Sequence, residues 1–303
     1  MIKNDKNKLV VNTFQRKKAL LLGNGINRTQ VKDLYNWEQL LIDLSKEFSY
    51  GVINNERKDK PFPMFYEEIV NHAKRHRNIP ESVVKRNVQE KLNNLEINNK
   101  FDFLQSVDCD EILTTNYDYL IEQYLQNGWK RGSTVTKQER LYSLYRFQNS
   151  GKKVWHIHGE QGDIRSMLLG FRSYLNYTSK IRDRSNLYLA SFFNKEKANE
   201  LEKHQSWVEM FFTHNIHIVG LGLEFTEYTI WWILAQRHYL MTTDKRINVN
   251  NEITLHLPSF INSEKLYLKE MMDAYNVKVN IVEIEERDDY DTFYEKLKHI
   301  NFE

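Results

Sequence analysis

Thr114-Thr115-Asn116-Tyr117-Asp118 brings two hydroxyls, an amide and a carboxylate into one short stretch. Ile112-Leu113 precedes it, and Leu120, Ile121, Tyr124 and Leu125 follow at helical spacing, which predicts a strand, a polar turn and a helix. In a parallel sheet such a turn lies at the carboxyl edge, where ligands bind. A helix cap accounts for the same residues: Asn116 or Asp118 would satisfy the first N–H groups of the helix. A second chemical stretch is Lys153-Val154-Trp155-His156-Ile157-His158-Gly159-Glu160, a strand by alternation and aromatic content that ends at Gly159. His156 and His158 should share one face of it. That would permit a metal pair, but no third ligand stands at a recognisable spacing. A neutral imidazole at a strand end suits a general base, and a hydrogen-bonded structural histidine is the plainer reading.

Two glycine turns have to be positioned with these residues. Ala19 to Leu22 reads as a buried strand running into Gly23-Asn24-Gly25-Ile26-Asn27-Arg28. Two close glycines let backbone N–H groups approach a pyrophosphate, although Arg28 stands where the dinucleotide fingerprint has a third glycine or alanine. Asp43 lies inside the helical pattern Trp37, Leu40, Leu41, Leu44 and not at a second strand's end, so an ordinary nicotinamide dehydrogenase is disfavoured. Asn215 to Val219 is again a strand, followed by Gly220-Leu221-Gly222 and a helix whose Tyr228, Trp231, Trp232 and Ala235 form an aromatic face for the core or a subunit contact.

Between these stretches the pattern changes. Residues 51–106 are punctuated by Pro61, Pro63 and Pro80 and have sparse apolar positions at helical spacing, which predicts a helical insertion. Residues 161–213 predict a second one, with aromatics that include Phe171, Tyr174 and Tyr177. Gly128 to Arg140 reads as loop, and Leu141 to Phe147 as a strand or edge hairpin. Asn251–Leu257 and Val277–Ile284 are strand candidates, each followed by a helix, Ser263–Tyr275 and Asp288–Ile300. Alternating strands and helices of this kind predict a doubly wound (Rossmann-like) parallel α/β sheet with helical insertions. We expect a single domain over 1–303, its core at 17–50, 107–160 and 214–303.

Composition narrows the function classes. A chain of 303 residues with 41% hydrophobic and 28% charged residues can bury a sizeable core. The 43 basic and 41 acidic residues nearly cancel, so the overall charge gives no reason to expect direct nucleic-acid binding. Cys109 is the single cysteine, which excludes an intramolecular disulfide and a paired-cysteine zinc site. The polar, basic start and the short apolar runs predict a cytoplasmic protein with no secretory signal and no membrane span.

The ordered turns Gly23-Asn24-Gly25-Ile26-Asn27, Thr114 to Asp118, and His158-Gly159 resemble the sirtuin-like family, and more closely its bacterial branch of antiphage-defence NAD hydrolases than its deacylases. Gly220-Leu221-Gly222-Leu223-Glu224, leading to Glu227, is similar to the family's later glycine turn, and Trp37-Glu38-Gln39-Leu40-Leu41 to the branch's tryptophan-led helix. Deacylases carry a four-cysteine zinc module that one cysteine cannot build. Asn24 in place of alanine and Thr115 in place of glutamine also fit the defence branch.

The resemblance implies an NAD+ hydrolase that uses NAD as substrate, without zinc, and acts by NAD depletion. It implies His158 as base and Asn116 as the residue orienting nicotinamide, ribose or water. Asp118 would hold the turn or place positive character near the leaving group. Gly23, Asn24, Gly25, Asn27, Arg28, Thr115, Gly220 and Gly222 would surround the dinucleotide. A homo-oligomer is expected. The alternative is a non-catalytic NAD- or ADP-ribose-binding subunit, or a scaffold for a HerA-type ATPase.

Overall fold

The computed structural model describes residues 16–27, 37–49, 59–134, 142–243, 247, 249–287 and 289–300. Its strands are β1 (Lys18–Leu22), β2 (Glu111–Thr114), β3 (Ser133–Thr134), β4 (Phe147–Ser150), β5 (Lys152–His156), β6 (Asn215–Val219), β7 (Ile253–Pro258) and β8 (Lys278–Val282). They form one sheet in the order β3-β4-β5-β2-β1-β6-β7-β8. From β5 to β8 every pairing is parallel, and β3 and β4 add an antiparallel edge. Chain order runs outward from β6 through β7 to β8 on one side and from β1 through β2 to β5 on the other, beyond which β4 and β3 fold back as the antiparallel edge. That is the dinucleotide-binding arrangement, with its switch point between the carboxyl ends of β1 and β6.

Period-two alternation decides the layers. Ala19, Leu21, Leu113, Trp155, Ile216, Ile218 and Leu255 bury one face. It packs against α6 (Phe171–Ser191), α8 (Met210–Thr213), α9 (Tyr228–Thr243) and α11 (Leu266–Ala274). Leu20, Leu22, Ile112 and Val154 bury the other face, against α4 (Phe103–Ser106), α5 (Leu120–Leu125) and α12 (Tyr290–Leu297). The outlying α7 (Lys195–Glu202) has no buried residue, and α10 (Ser259–Glu264) follows β7 directly. The central strands β1, β2, β5 and β6 thus feed both cores, as a doubly wound sheet requires.

The first insertion forms its own apolar cluster. In it α1 (Trp37–Ser49), α2 (Phe62–Arg77) and α3 (Glu81–Leu92) bury Leu40, Leu44, Phe65, Ile69, Val84 and Val88. Although α1 was grouped with the sheet core by sequence, its Leu40, Leu41 and Leu44 pack in this lobe. Its apolar stripe is satisfied by the neighbouring helices. Tyr117, Met167 and Leu169 complete the cluster, so the lobe rests on the turn after β2.

The antiparallel edge lies later than Leu141–Phe147. Its hairpin is β4 and β5 across Gly151, where φ is +82°, and the strand expectation misses because residues 142–146 pack irregularly with a buried Arg146. Within the loop expected over Gly128–Arg140, Ser133–Thr134 pairs with β4. Residues 135–141 lie outside the described residues. No helix of the described residues is long and apolar enough to cross a membrane.

Candidate active site

Four strand-end turns meet at the carboxyl edge around the switch point. After β1, a 3-10 turn spans Asn24–Asn27. The Gly23 and Gly25 amides donate to the Val219 carbonyl at 2.9 Å and the Gly220 carbonyl at 2.8 Å. A Cβ on Gly23 would strike the Gly220 carbonyl, and one on Gly25 would lie 2.7 Å from Gly220 Cα. Gly220 has φ of +65°, a region costly to residues with a side chain. These glycines are therefore needed for the loops of β1 and β6 to touch. Their two amides are already spent on backbone carbonyls and do not point at a pyrophosphate as the sequence suggested. Gly222 stands apart: it is exposed, and a Cβ there would meet open space up to the Glu224 carboxylate at 3.9 Å. Arg28 lies outside the described residues.

The turn after β2 is locked onto β1. Thr114 Oγ1 donates to the Leu22 carbonyl at 2.9 Å and accepts from the Asn116 amide at 3.1 Å. The Thr115 amide donates to the same carbonyl at 3.2 Å. Asn116 is buried, and its Nδ2 lies 3.4 Å from the Gly23 carbonyl, a long contact. Asp118 does two jobs: Oδ1 accepts from the Leu120 amide at 3.1 Å at the start of α5, and Oδ2 accepts from Asn27 Nδ2 at 2.9 Å. Burial raises its pKa, against the bonds from Leu120 and Asn27. The cap and the ligand-facing loop are thus one structure. Asn27 Nδ2 also reaches Asn24 Oδ1 at 3.1 Å, while Asn27 Oδ1 is buried with no hydrogen-bond partner, which leaves an acceptor for an incoming hydroxyl or water.

The two histidines do not share a face. β5 ends at His156 and the chain turns, with the Gly159 amide donating to the His156 carbonyl at 3.0 Å, so the period-two rule stops applying. His156 faces α5: Nδ1 lies 2.7 Å from the Asn116 carbonyl and Nε2 2.6 Å from Glu122 Oε1. Burial pushes its pKa down, but the Glu122 charge and hydrogen bond, the charge of Glu160 and the Asn116 carbonyl outweigh it and raise the value to about 9. Both ring nitrogens meet acceptors, so the ring is an imidazolium. The metal-pair arrangement is absent here, because each ring is taken by partners in a different layer.

His158 faces the other layer. Its Nε2 lies 3.2 Å from Thr229 Oγ1 and 3.7 Å from Glu227 Oε2, and its ring sits edge-on to Tyr174, 5.4 Å between centroids. Burial lowers its pKa to about 3, so at neutral pH it is an uncharged base. Glu227 immediately precedes α9, and its pKa is raised to about 7 by burial and the charge of Glu224. Glu122 and Thr229 were not singled out from sequence, and Glu227 was named there only as the residue to which the later glycine turn leads. The only signal available was a carboxylate on the helix after the Asn116 turn and another between a glycine turn and a helix.

Asn24, Trp37, Leu40, Leu92, Leu95, Asn116, Tyr117 and Asp118 line a small, half-open pocket beside the turn after β2. Trp37 closes it edge-on to Tyr117 at 5.2 Å. A larger cleft of about 300 Å³ lies between α3 and the start of α6, bordered by Lys85, Tyr142, Arg165 and Leu168. The Leu168 amide donates to the His158 carbonyl at 2.9 Å.

Residues 110–217, which hold β2, the Asn116 turn, β5 and both histidines, match the model of the SIR2-like domain. The chain is also 22% identical over 294 residues to a protein named NAD(+) hydrolase ThsA from Enterococcus faecium, an alignment covering 93% of this chain and 54% of that one. The chain therefore spans about half the length of this curated relative. Sheet order and the position of the turns at the switch point accord with both similarities, the first of which covers residues 110–217.

Proposed function

We propose that this protein is an NAD+ hydrolase that cleaves the nicotinamide–ribose bond, with Asn116 and His158 as its catalytic residues. The observation that supports this most is their shared edge. Asn116 follows β2 and His158 follows β5, beside the point where the Gly23–Gly25 and Gly220 loops touch. The NAD+ hydrolase named among its relatives supports the same substrate.

Cleavage develops positive charge on the ribose, so the site must hold NAD rigidly and accept a proton from the attacking water. Asn116 can donate and accept, which suits it to orient the nicotinamide amide, ribose or water. His158, uncharged, takes the proton. Asn27 Oδ1 offers an acceptor to a ribose hydroxyl, Asn24 borders the pocket beside Asn116, Thr115 contributes from the same turn as Asn116, and Asp118 holds the loop. Gly23, Gly25 and Gly220 keep the switch point narrow and Gly222 flanks the adenosine side, while Arg28, outside the described residues, is assigned from sequence either to the pyrophosphate or to solvent.

We place this activity in the cytoplasm, in antiphage defence by NAD depletion, on the sirtuin-like resemblance. Association as a homo-oligomer or with a HerA-type ATPase rests on the same resemblance and is read by light scattering with and without that partner. Nicotinamide release from NAD by the purified chain tests the activity. Loss in His158→Ala and in Asn116→Ala, with the fold retained, is the expected result; full activity in both would overturn the assignment.

A further inference from the structure

Glu227 is a carboxylate that nothing in the fold has yet used. Its amide donates to the Glu224 carbonyl at 2.9 Å, and its own carbonyl accepts from the Ile230 and Trp231 amides at 3.0 Å each, so its backbone is pinned as α9 begins. Its side chain makes none of these bonds: Oε2 is buried with no hydrogen-bond partner among the described residues, 3.7 Å from His158 Nε2. Such an acceptor is costly to bury unless a donor or a charge meets it. The groups around the pair are Tyr117 from the turn after β2, Tyr174 from α6, Thr229 from α9 and Glu224 from the preceding loop. None of them is a cation, so among these groups an ionised Glu227 faces only His158 as one able to become positive.

We propose that Glu227 is a positioning residue for His158: its carboxylate holds the imidazole with Nε2–H directed at Thr229 and Glu227, leaves Nδ1 to accept the proton, and stabilises the imidazolium that results. Nδ1 makes no hydrogen bond within the described residues, and the one formed by the ring is through Nε2. The logic is that of a base oriented by a buried carboxylate on its far nitrogen. The inference rests on NAD hydrolysis being the reaction. In that reaction the water oxygen bonds to the ribose C1′, and nicotinamide departs with the electron pair of the C1′–N bond. One water proton passes to Nδ1 and then to solvent, giving ADP-ribose, nicotinamide and H⁺.

Glu227→Gln keeps the shape and removes the charge. Its NAD turnover should fall about 10²-fold, and the acidic limb of the pH profile, which in the wild type follows ionisation of Glu227, should disappear. Turnover within twofold of wild type with that limb intact overturns the proposal. A second measurement needs neither turnover nor a variant: in protein with ¹⁵N-labelled histidine, the His158 nitrogens should report the Nε2–H tautomer and respond to an ionisation near pH 7. An Nδ1–H tautomer, or no response near that pH, overturns it as well. If the wild type releases no nicotinamide under any condition, the function reading fails while the tautomer measurement still decides the Glu227–His158 pair.

Discussion

His156 Nδ1 lies 2.7 Å from the carbonyl oxygen of Asn116, and its other nitrogen lies 2.6 Å from Glu122. A buried imidazolium therefore pins, from beneath, the backbone of the residue on which the proposed chemistry turns. Its folded pKa of about 9 lies above the ordinary 6.5. The sign follows: protonation favours the folded state, so the contribution is complete below about pH 6.5, declines between about 6.5 and 9, and is gone above that range. Denaturant titrations from pH 6 to 10 should show this decline, and His156→Gln should flatten it. A decline of equal size in the variant would assign it to other groups.

Removing Glu122 leaves that buried charge without its partner. Glu122→Ala should cost about 3–5 kcal/mol, the usual cost of breaking a buried pair, read as a lower denaturation midpoint with unchanged slope. A loss below about 1 kcal/mol would mean that the pair is worth no more than an exposed one.

Asp118 accepts from Asn27 Nδ2 and the Leu120 amide at once. Asp118→Asn keeps one acceptor oxygen and turns an amide donor toward the other donor, so it should lose about 1–3 kcal/mol of stability. Because the loss acts through the loop that presents Asn116 and Asn27, turnover should fall together with NAD affinity. Asn116→Ala gives up only the long contact to Gly23, so its stability should drop by no more than about 1.5 kcal/mol while turnover is lost. Calorimetry and nicotinamide release on the same samples separate the two patterns.

The glycines should divide sharply. Gly25→Ala forces a methyl group against Gly220 and should cost about 1–3 kcal/mol through overpacking, whereas Gly222→Ala, facing open space, should stay within about 0.5 kcal/mol. Thermal unfolding of the two variants measures the difference, and equal midpoints would overturn the packing account.

Legibility followed the range of the interaction. The alternation in β1, β2, β5 and β6 and the glycine punctuation after them are local, so strands and turns were readable residue by residue. The antiparallel edge was misplaced because Phe147–Ser150 carries a buried Gln148 and Ser150 and offers little apolar signal. Its strand character comes from pairing with β5. The shared face of His156 and His158 failed for a similar reason: periodicity describes a strand only as long as its partner strand keeps the register.

From sequence alone the α/β class follows, as does the run of turns Gly23–Asn27, Thr114–Asp118 and His158–Gly159, because strand periodicity and turn chemistry are encoded locally; the choice of Asn116 and His158 among their residues came from the family resemblance. Only the tertiary structure decided that Gly23 and Gly25 serve the contact with Gly220, that His156 is held as a charged ring and His158 as an uncharged one, and that Glu227 lies 3.7 Å from His158. Those properties depend on burial and on partners tens of residues away, which no local pattern encodes.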